Sequence, residues 1–118
     1  PANNFMGQEP GTEDEIKDFC DTNYNVTFPL FSKISVKGDD QHQLYHFLTE
    51  TKPDTDVNDG GLEEKLKGFG HNRSVPSEVL WNFEKFLIAR DGTIAARFAP
   101  DVTATDERLI ERLEAEIG

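Results

Sequence analysis

Apolar positions recur at helical spacing in several short stretches of the chain and at strand spacing in one later pair. Ile16, Phe19 and Cys20 fall at i, i+3 and i+4 directly after Thr12-Glu13-Asp14-Glu15. Thr12 and Glu15 form a Thr-x-x-Glu capping box, and three acidic residues sit at the positive end of the helix dipole. The pattern predicts a helix from Thr12 to near Asn23 with Ile16, Phe19 and Cys20 as its buried stripe. Val26 to Ile34 is strand-like, but Pro29 removes a ladder donor and demotes the segment to an edge or irregular stretch. Asp39 and Asp40 are candidate caps for a second helix whose apolar face is Leu44, Phe47 and Leu48. Residues 51–79 are polar and punctuated by Gly and Pro, with one short amphipathic turn around Leu62 and Leu66. Such a length predicts a mobile connection. Phe83–Ala89 and Thr93–Phe98 then flank Arg90-Asp91-Gly92, a strong hairpin signal. Thr103 or Thr105 is the expected cap of a closing helix with Leu109, Ile110, Leu113 and Ile117 on one face.

The element order is therefore loop, helix, broken strand, helix, long loop, strand, strand, helix. Phe86, Leu87 and Ile88 are consecutive and apolar, so their strand expects cover on both faces. A lone hairpin is marginal in water. The sheet reads as half present, and a preceding βαβ unit of at least ~30 residues would complete a thioredoxin-type sandwich. The expected class is α/β, a thioredoxin-like three-layer α/β/α fold whose N-terminal βαβ part is absent from this chain. Residues 1–118 then form a single partial domain with 51–79 as a long polar insertion. Pro1 to Gly11 holds two prolines and two glycines among polar residues, and reads as a loop entered midway rather than a domain edge.

Composition narrows the partners. The 118 residues are 36% hydrophobic, with nine Phe and one Trp, enough for one small core. The longest apolar run, Phe86 to Ala89, is strand-sized, far short of the ~18 residues a spanning helix needs. Net charge is −11, of which residues 1–60 hold −8 and residues 61–118 hold −3. With no basic stripe, neither a nucleic-acid backbone nor an anionic membrane is an expected partner. The single cysteine, Cys20, excludes an internal disulfide and a cysteine-rich metal site, and fits a reducing, cytoplasmic setting. A monomer is the default, and no cofactor is implied.

Two metal-like patterns fail on inspection. His42 and His46 have zinc-protease spacing, but position 43 is Gln rather than Glu and no third ligand is evident. Asp54-x-Asp56-x-Asn58-Asp59-Gly60 resembles a calcium loop but has Asp59 where Gly is required and Lys65 where Glu is required. Asn25-Val26-Thr27 and Asn72-Arg73-Ser74 are glycosylation sequons by pattern only.

Three stretches carry a resemblance. Asn3-x-Phe5-x-Gly7-Gln8-Glu9-Pro10-Gly11, Phe28-Pro29-Leu30-Phe31-Ser32-Lys33-Ile34 and Trp81-Asn82-Phe83-Glu84-Lys85-Phe86-Leu87-Ile88 resemble, in order and spacing, three signatures of the glutathione peroxidases. The similarity runs over essentially the whole chain. The Leu44-Tyr45 helix and the polar insertion before Trp81 look most like the bacterial branch. The resemblance implies a peroxidase of oxidative-stress defence that reduces hydrogen peroxide or organic hydroperoxides. In that chemistry a thiolate or selenolate attacks the O–O bond, and thiols reduce the resulting sulfenic or selenenic acid. The attacking Cys or Sec of that family lies in a loop upstream of Pro1, so these residues alone are expected to be inactive. Its supporting partners would be Gln8, Trp81 and Asn82, whose N–H donors favour an ionised sulfur. By residue type alone, Gln8 is also a plausible turn residue, Trp81 a core anchor and Asn82 a loop cap.

Cys20 likewise has two readings, a small buried hydrophobe or a functional thiol. Phe19-Cys20 followed by Tyr24-x-Val26-Thr27-Phe28-Pro29 is similar to the branch with a second, resolving cysteine, reduced by thioredoxin more readily than by glutathione. Asn4 stands where the family more often has Gln, and Ala2 where it often has Cys; neither belongs to the implied catalytic set. The competing reading is a catalytically inert thioredoxin-like binding module, or a fragment that assembles through exposed sheet edges.

Overall fold

A computed structural model describes residues 1–118 as four helices and one hairpin. Helix α1 spans Glu13–Tyr24, α2 Gln43–Thr51, α3 Gly61–Gly68 and α4 Glu107–Ile117; strand β1 spans Lys85–Ile88 and β2 Ile94–Phe98. Thr12 caps α1 as expected, its Oγ1 accepting from the Glu15 N–H at 3.2 Å and donating to the Glu15 carboxylate. Asn25 ends the helix in the left-handed region, φ 49°. The predicted stripe is only partly realised: Ile16 is buried and Cys20 half-buried, but Phe19 is 56% exposed.

The caps of α2 and α4 differ from expectation. His42, rather than Asp39 or Asp40, caps α2, with Nδ1 accepting from the Leu44 N–H at 3.0 Å. Asp40 is engaged elsewhere, accepting from the Ser35 hydroxyl. His46 pairs along the helix with Glu50 at 3.3 Å, so neither imidazole of the zinc-like pattern is left idle. For α4 the cap is Asp106, not Thr103 or Thr105; the two threonine hydroxyls bond each other instead. Residues 26–34 form no strand, in keeping with the interruption at Pro29.

The hairpin forms where the Asp-Gly signal puts it, but shorter than the apolar runs. The strands pair antiparallel from Lys85 opposite Phe98 to Ile88 opposite Ile94, with an irregularity between Leu87 and Ile88. Gly92 takes φ 88°, a backbone that a side chain would strain. Alternation along β1 sends Phe86 and Leu87 to opposite faces. Phe86 meets Tyr45 of α2 edge-on at 6.1 Å between ring centres, in the cluster built on Phe5, Val36 and Val79. Leu87 joins Ala96, Phe98, Ala99 and Val102 with Leu109 of α4. The hairpin thus carries a helix on each face, an α/β/α layering built on two strands. Val57 adds a parallel bridge to Phe98 on the outer edge of β2.

The long polar connection is tied down at several points. It contains α3, a longer helix than the single turn expected, and an Arg73–Glu63 ion pair at 2.8 Å. Arg97, fully buried at 0% exposure, holds both ends of the segment: Nη1 donates to the carbonyls of Lys52 and Pro53, and Nη2 to that of Ser77. Its charge is met by Glu84 at 2.6 Å, and its guanidinium lies 5.0 Å from the centre of the Phe86 ring. Three residues of the calcium-like loop are spent on the protein itself. Asp56 pairs with Lys52, Asn58 accepts from the Gly60 N–H, and Asp59 pairs with Arg108.

Arg108 also bonds both carboxylate oxygens of the α4 cap. The Arg108 side chain first, and its backbone N–H next, pull the Asp106 carboxyl from 3.8 down to about 2. Asp59 is lowered by the same guanidinium. A folded value below the unfolded one means this stabilisation is present above about pH 4 and is lost as pH falls toward 2. Acid unfolding followed by far-UV circular dichroism should therefore lose part of its pH dependence in that window in Asp106→Ala. An unchanged acid profile would count against the cap.

Candidate functional site

The N-terminal loop is held in place before any helix begins. The Asn3 side chain accepts from the Glu9 N–H at 2.8 Å, and Met6 and Gly7 take φ 57° and 63°, turning the chain back. Asn4 ties this loop to residues 35–37, accepting from the Val36 N–H at 2.9 Å and donating to Ser35 Oγ at 3.0 Å. Phe5 is buried beneath the turn, and Gln8 emerges from it.

The second segment of the site is the Leu80-Trp81-Asn82-Phe83-Glu84 turn. Phe83 sits at φ 66°, a left-handed backbone that an aromatic residue rarely takes, and its ring is 83% exposed. The reversal it produces brings the Glu84 carboxylate back to accept from the Leu80 N–H at 3.0 Å. The other oxygen of Glu84 accepts from Arg97 Nε at 2.7 Å. The buried ion pair therefore grips the turn that carries Trp81 and Asn82.

The two segments meet through one hydrogen bond: Asn82 Nδ2 donates to Gln8 Oε1 at 2.9 Å, across 74 residues of sequence. This bond occupies the carbonyl end of the Gln8 amide, and both of its N–H donors remain without a partner in the protein. Asn82 keeps a further N–H. Trp81 packs beside the pair in a three-ring cluster, 5.2 Å from Phe5 and 4.9 Å from His71 between ring centres. The result is a partly exposed, donor-rich surface on an apolar floor. Amide N–H donors of this kind can hydrogen-bond an anion, and none of the three side chains is a nucleophile.

Cys20 is joined to this cluster by no hydrogen bond. It lies half-buried at the start of the last turn of α1, where its carbonyl accepts from the Val26 N–H at 3.3 Å. That turn holds Asp21 and no cation to offset the helix dipole, and the exposed Phe19 and Tyr24 rings meet there at a tilt, 5.8 Å between centres. The end of the helix is nonetheless closed: the Asn25 N–H donates to the Asp21 carbonyl at 3.2 Å, and Asn23 Nδ2 to that of Phe19 at 3.0 Å.

Sequence reasoning missed His71, Phe5, Glu84 and Arg97 as parts of the site. Phe5 and Glu84 stand inside the quoted signatures, yet nothing in a linear pattern marks a residue that supports a neighbour's backbone. His71 lies in a stretch read as a polar loop.

Comparison with known proteins bears on the same residues. A family model described as glutathione peroxidase matches residues 1–49. The thioredoxin/glutathione peroxidase BtuE of Escherichia coli is 42% identical over 115 residues, covering 97% of this chain and 63% of that protein. The hydroperoxy fatty acid reductase gpx1 of Synechocystis is 41% identical over 117 residues, covering 96% and 60%. A crystal structure of Trgpx in apo form superposes with a TM-score of 0.51 at 27% identity, covering 95% of this chain and 74% of that one. The chain thus spans roughly three fifths of the length of the curated relatives it matches.

Proposed function

The chain belongs to the glutathione peroxidase family, and on that premise we propose that it is the donor-bearing portion of a thiol-dependent peroxidase. The substrate class is hydrogen peroxide or an organic hydroperoxide. The observation that carries this reading is the Asn82–Gln8 hydrogen bond, which joins the two signature segments into one anion-stabilising surface beside Trp81. The attacking Cys or Sec is contributed from upstream of Pro1. Its ionised form takes up the N–H donors of Gln8 and Asn82, which lowers its pKa. The thiolate attacks one peroxide oxygen, the O–O bond breaks, and the sulfur becomes a sulfenic acid. The departing alkoxide or hydroxide takes a proton to leave as alcohol or water.

Cys20 is the resolving thiol in this scheme. Its thiolate attacks the sulfenic sulfur, expels hydroxide and forms a disulfide, which thioredoxin reduces in preference to glutathione. The half-buried position close to the C-terminal end of α1 supports this role, and the capped last turn must open before two sulfurs can reach bonding distance. The 118 residues alone should show no turnover. In a protein carrying the upstream segment, Cys20→Ser should reduce thioredoxin-driven peroxide consumption by about 10²-fold or more, since a covalent step is lost. Turnover equal to the unsubstituted protein would assign Cys20 to packing alone.

A second reading, an inert module that assembles with other polypeptide, is favoured by uncovered apolar surface. Phe47 on α2 and Leu113 and Ile117 on α4 are exposed, and an open apolar groove of about 210 Å³ lies between β1 and α4. Peroxide turnover by the extended protein separates the two. No helix is long and apolar enough to cross a membrane.

A further inference from the structure

We propose that His71 is a positioning residue for this site, setting the pose of Trp81 and the backbone that presents Asn82. The inference rests on the peroxidase reading for its functional consequence, but not for its geometry.

Both backbone polar groups of Leu80, the residue before Trp81, are taken by distant side chains. Glu84 accepts from its N–H at 3.0 Å, and His71 Nε2 lies 3.1 Å from its carbonyl oxygen. A carbonyl can only accept, so Nε2 carries the hydrogen, and the neutral ring is the Nε2–H tautomer. The same imidazole stands nearly perpendicular to the indole, at 77° and 4.9 Å between ring centres. It also meets Phe5 edge-on at 5.8 Å. One ring therefore fixes the indole by contact and the preceding peptide by a hydrogen bond. The Trp81 ring has two kinds of freedom to lose, rotation about its side-chain bonds and rocking of the turn, and His71 restrains both.

His71 is itself anchored. Its backbone N–H donates to Leu66 O at 2.9 Å, just past the end of α3, and Leu66 is buried. Helix α3 is held in turn by the Glu63–Arg73 pair. The long polar segment thereby acquires a purpose in the site, as the support from which one imidazole reaches Trp81.

Trp81 is the sole tryptophan, so its emission reports the pose directly. His71→Ala should move the emission of the folded protein to longer wavelength as the indole loses its edge contact. His71→Gln keeps an N–H donor and should restore the spectrum in part; His71→Phe keeps the ring contact without the donor. The spectrum is read on the folded baseline of a urea titration, which separates a changed pose from a changed midpoint. In the protein carrying the upstream nucleophile, kcat for peroxide should fall about tenfold in His71→Ala, in line with the sensitivity of positioned groups to small displacements. A folded-state spectrum unchanged in His71→Ala and His71→Gln overturns the proposal, as does a shifted spectrum with undiminished kcat. Absence of turnover in the unsubstituted protein would refute the peroxidase reading, while the emission still decides the pose.

Discussion

Arg97→Ala is expected to remove a large share of the protein's folding stability. The guanidinium is fully buried and donates to three backbone carbonyls as well as to Glu84, whose side chain is only 2% exposed. Removing one partner of a buried ion pair leaves the other charge without water or a counter-ion, at a cost of roughly 3–5 kcal/mol. A domain of this size has about 5–15 kcal/mol of total stability. The loss also frees both ends of the 51–79 segment and the Lys52 carbonyl at the end of α2, so several elements should loosen together. Urea unfolding followed by circular dichroism measures it. Arg97→Met combined with Glu84→Gln should recover a large share of the loss. The amide carbonyl introduced at position 84 can still accept from the Leu80 N–H, while no charge remains buried. A single variant within ~0.5 kcal/mol of the unsubstituted protein, the ordinary range for a surface change, would mean the pair is not sealed from water.

The second large effect falls on chemistry rather than folding. Asn82→Leu removes the donor that holds Gln8 and leaves the Gln8 carbonyl free to rotate inward. In a protein that carries the upstream nucleophile, kcat/KM for peroxide should drop by about 10²-fold, the scale of losing one preorganised donor to a developing anion. Asn82→Asp should fall further, since it places a negative charge where an anion must form. The cause can be read apart from the rate. Alkylation of the attacking thiol as a function of pH should show its pKa moving upward in both variants, more so for Asp. Stability should change little, because Asn82 is partly exposed and bonds only Gln8 among side chains. Unchanged alkylation profiles alongside full turnover would remove Asn82 from the site.

Particular residues show what is legible from sequence. Asp91-Gly92 between apolar runs locates the hairpin, because a two-strand turn is decided by a few local torsions. Thr12 is legible as a cap, since its helix offers one candidate. For α2 and α4 the local sequence offers several, and tertiary partners make the choice: Ser35 engages Asp40, and Arg108 selects Asp106. Phe19, Leu44, Phe47 and Ile117 follow helical spacing yet lie open, because periodicity tells which side chains share a face and not whether anything covers it. Gln8, Trp81 and Asn82 are reached through the family resemblance rather than through any pattern within the chain. Arg97, Glu84 and His71 have no such route. They act on backbone groups 4 to 45 residues away, an arrangement that leaves no periodic trace.

The bond between Gln8 and Asn82 also places the site in time. Gln8 leaves the ribosome 74 residues ahead of its partner. At ordinary rates of synthesis that is a wait of roughly 4–15 seconds. Throughout that interval the N-terminal segment carries an amide with nothing to orient it. On the proposed reading, a thiol made earlier in the same polypeptide spends those seconds without the paired Gln8 and Asn82 amides, which can meet only once Asn82 has been made.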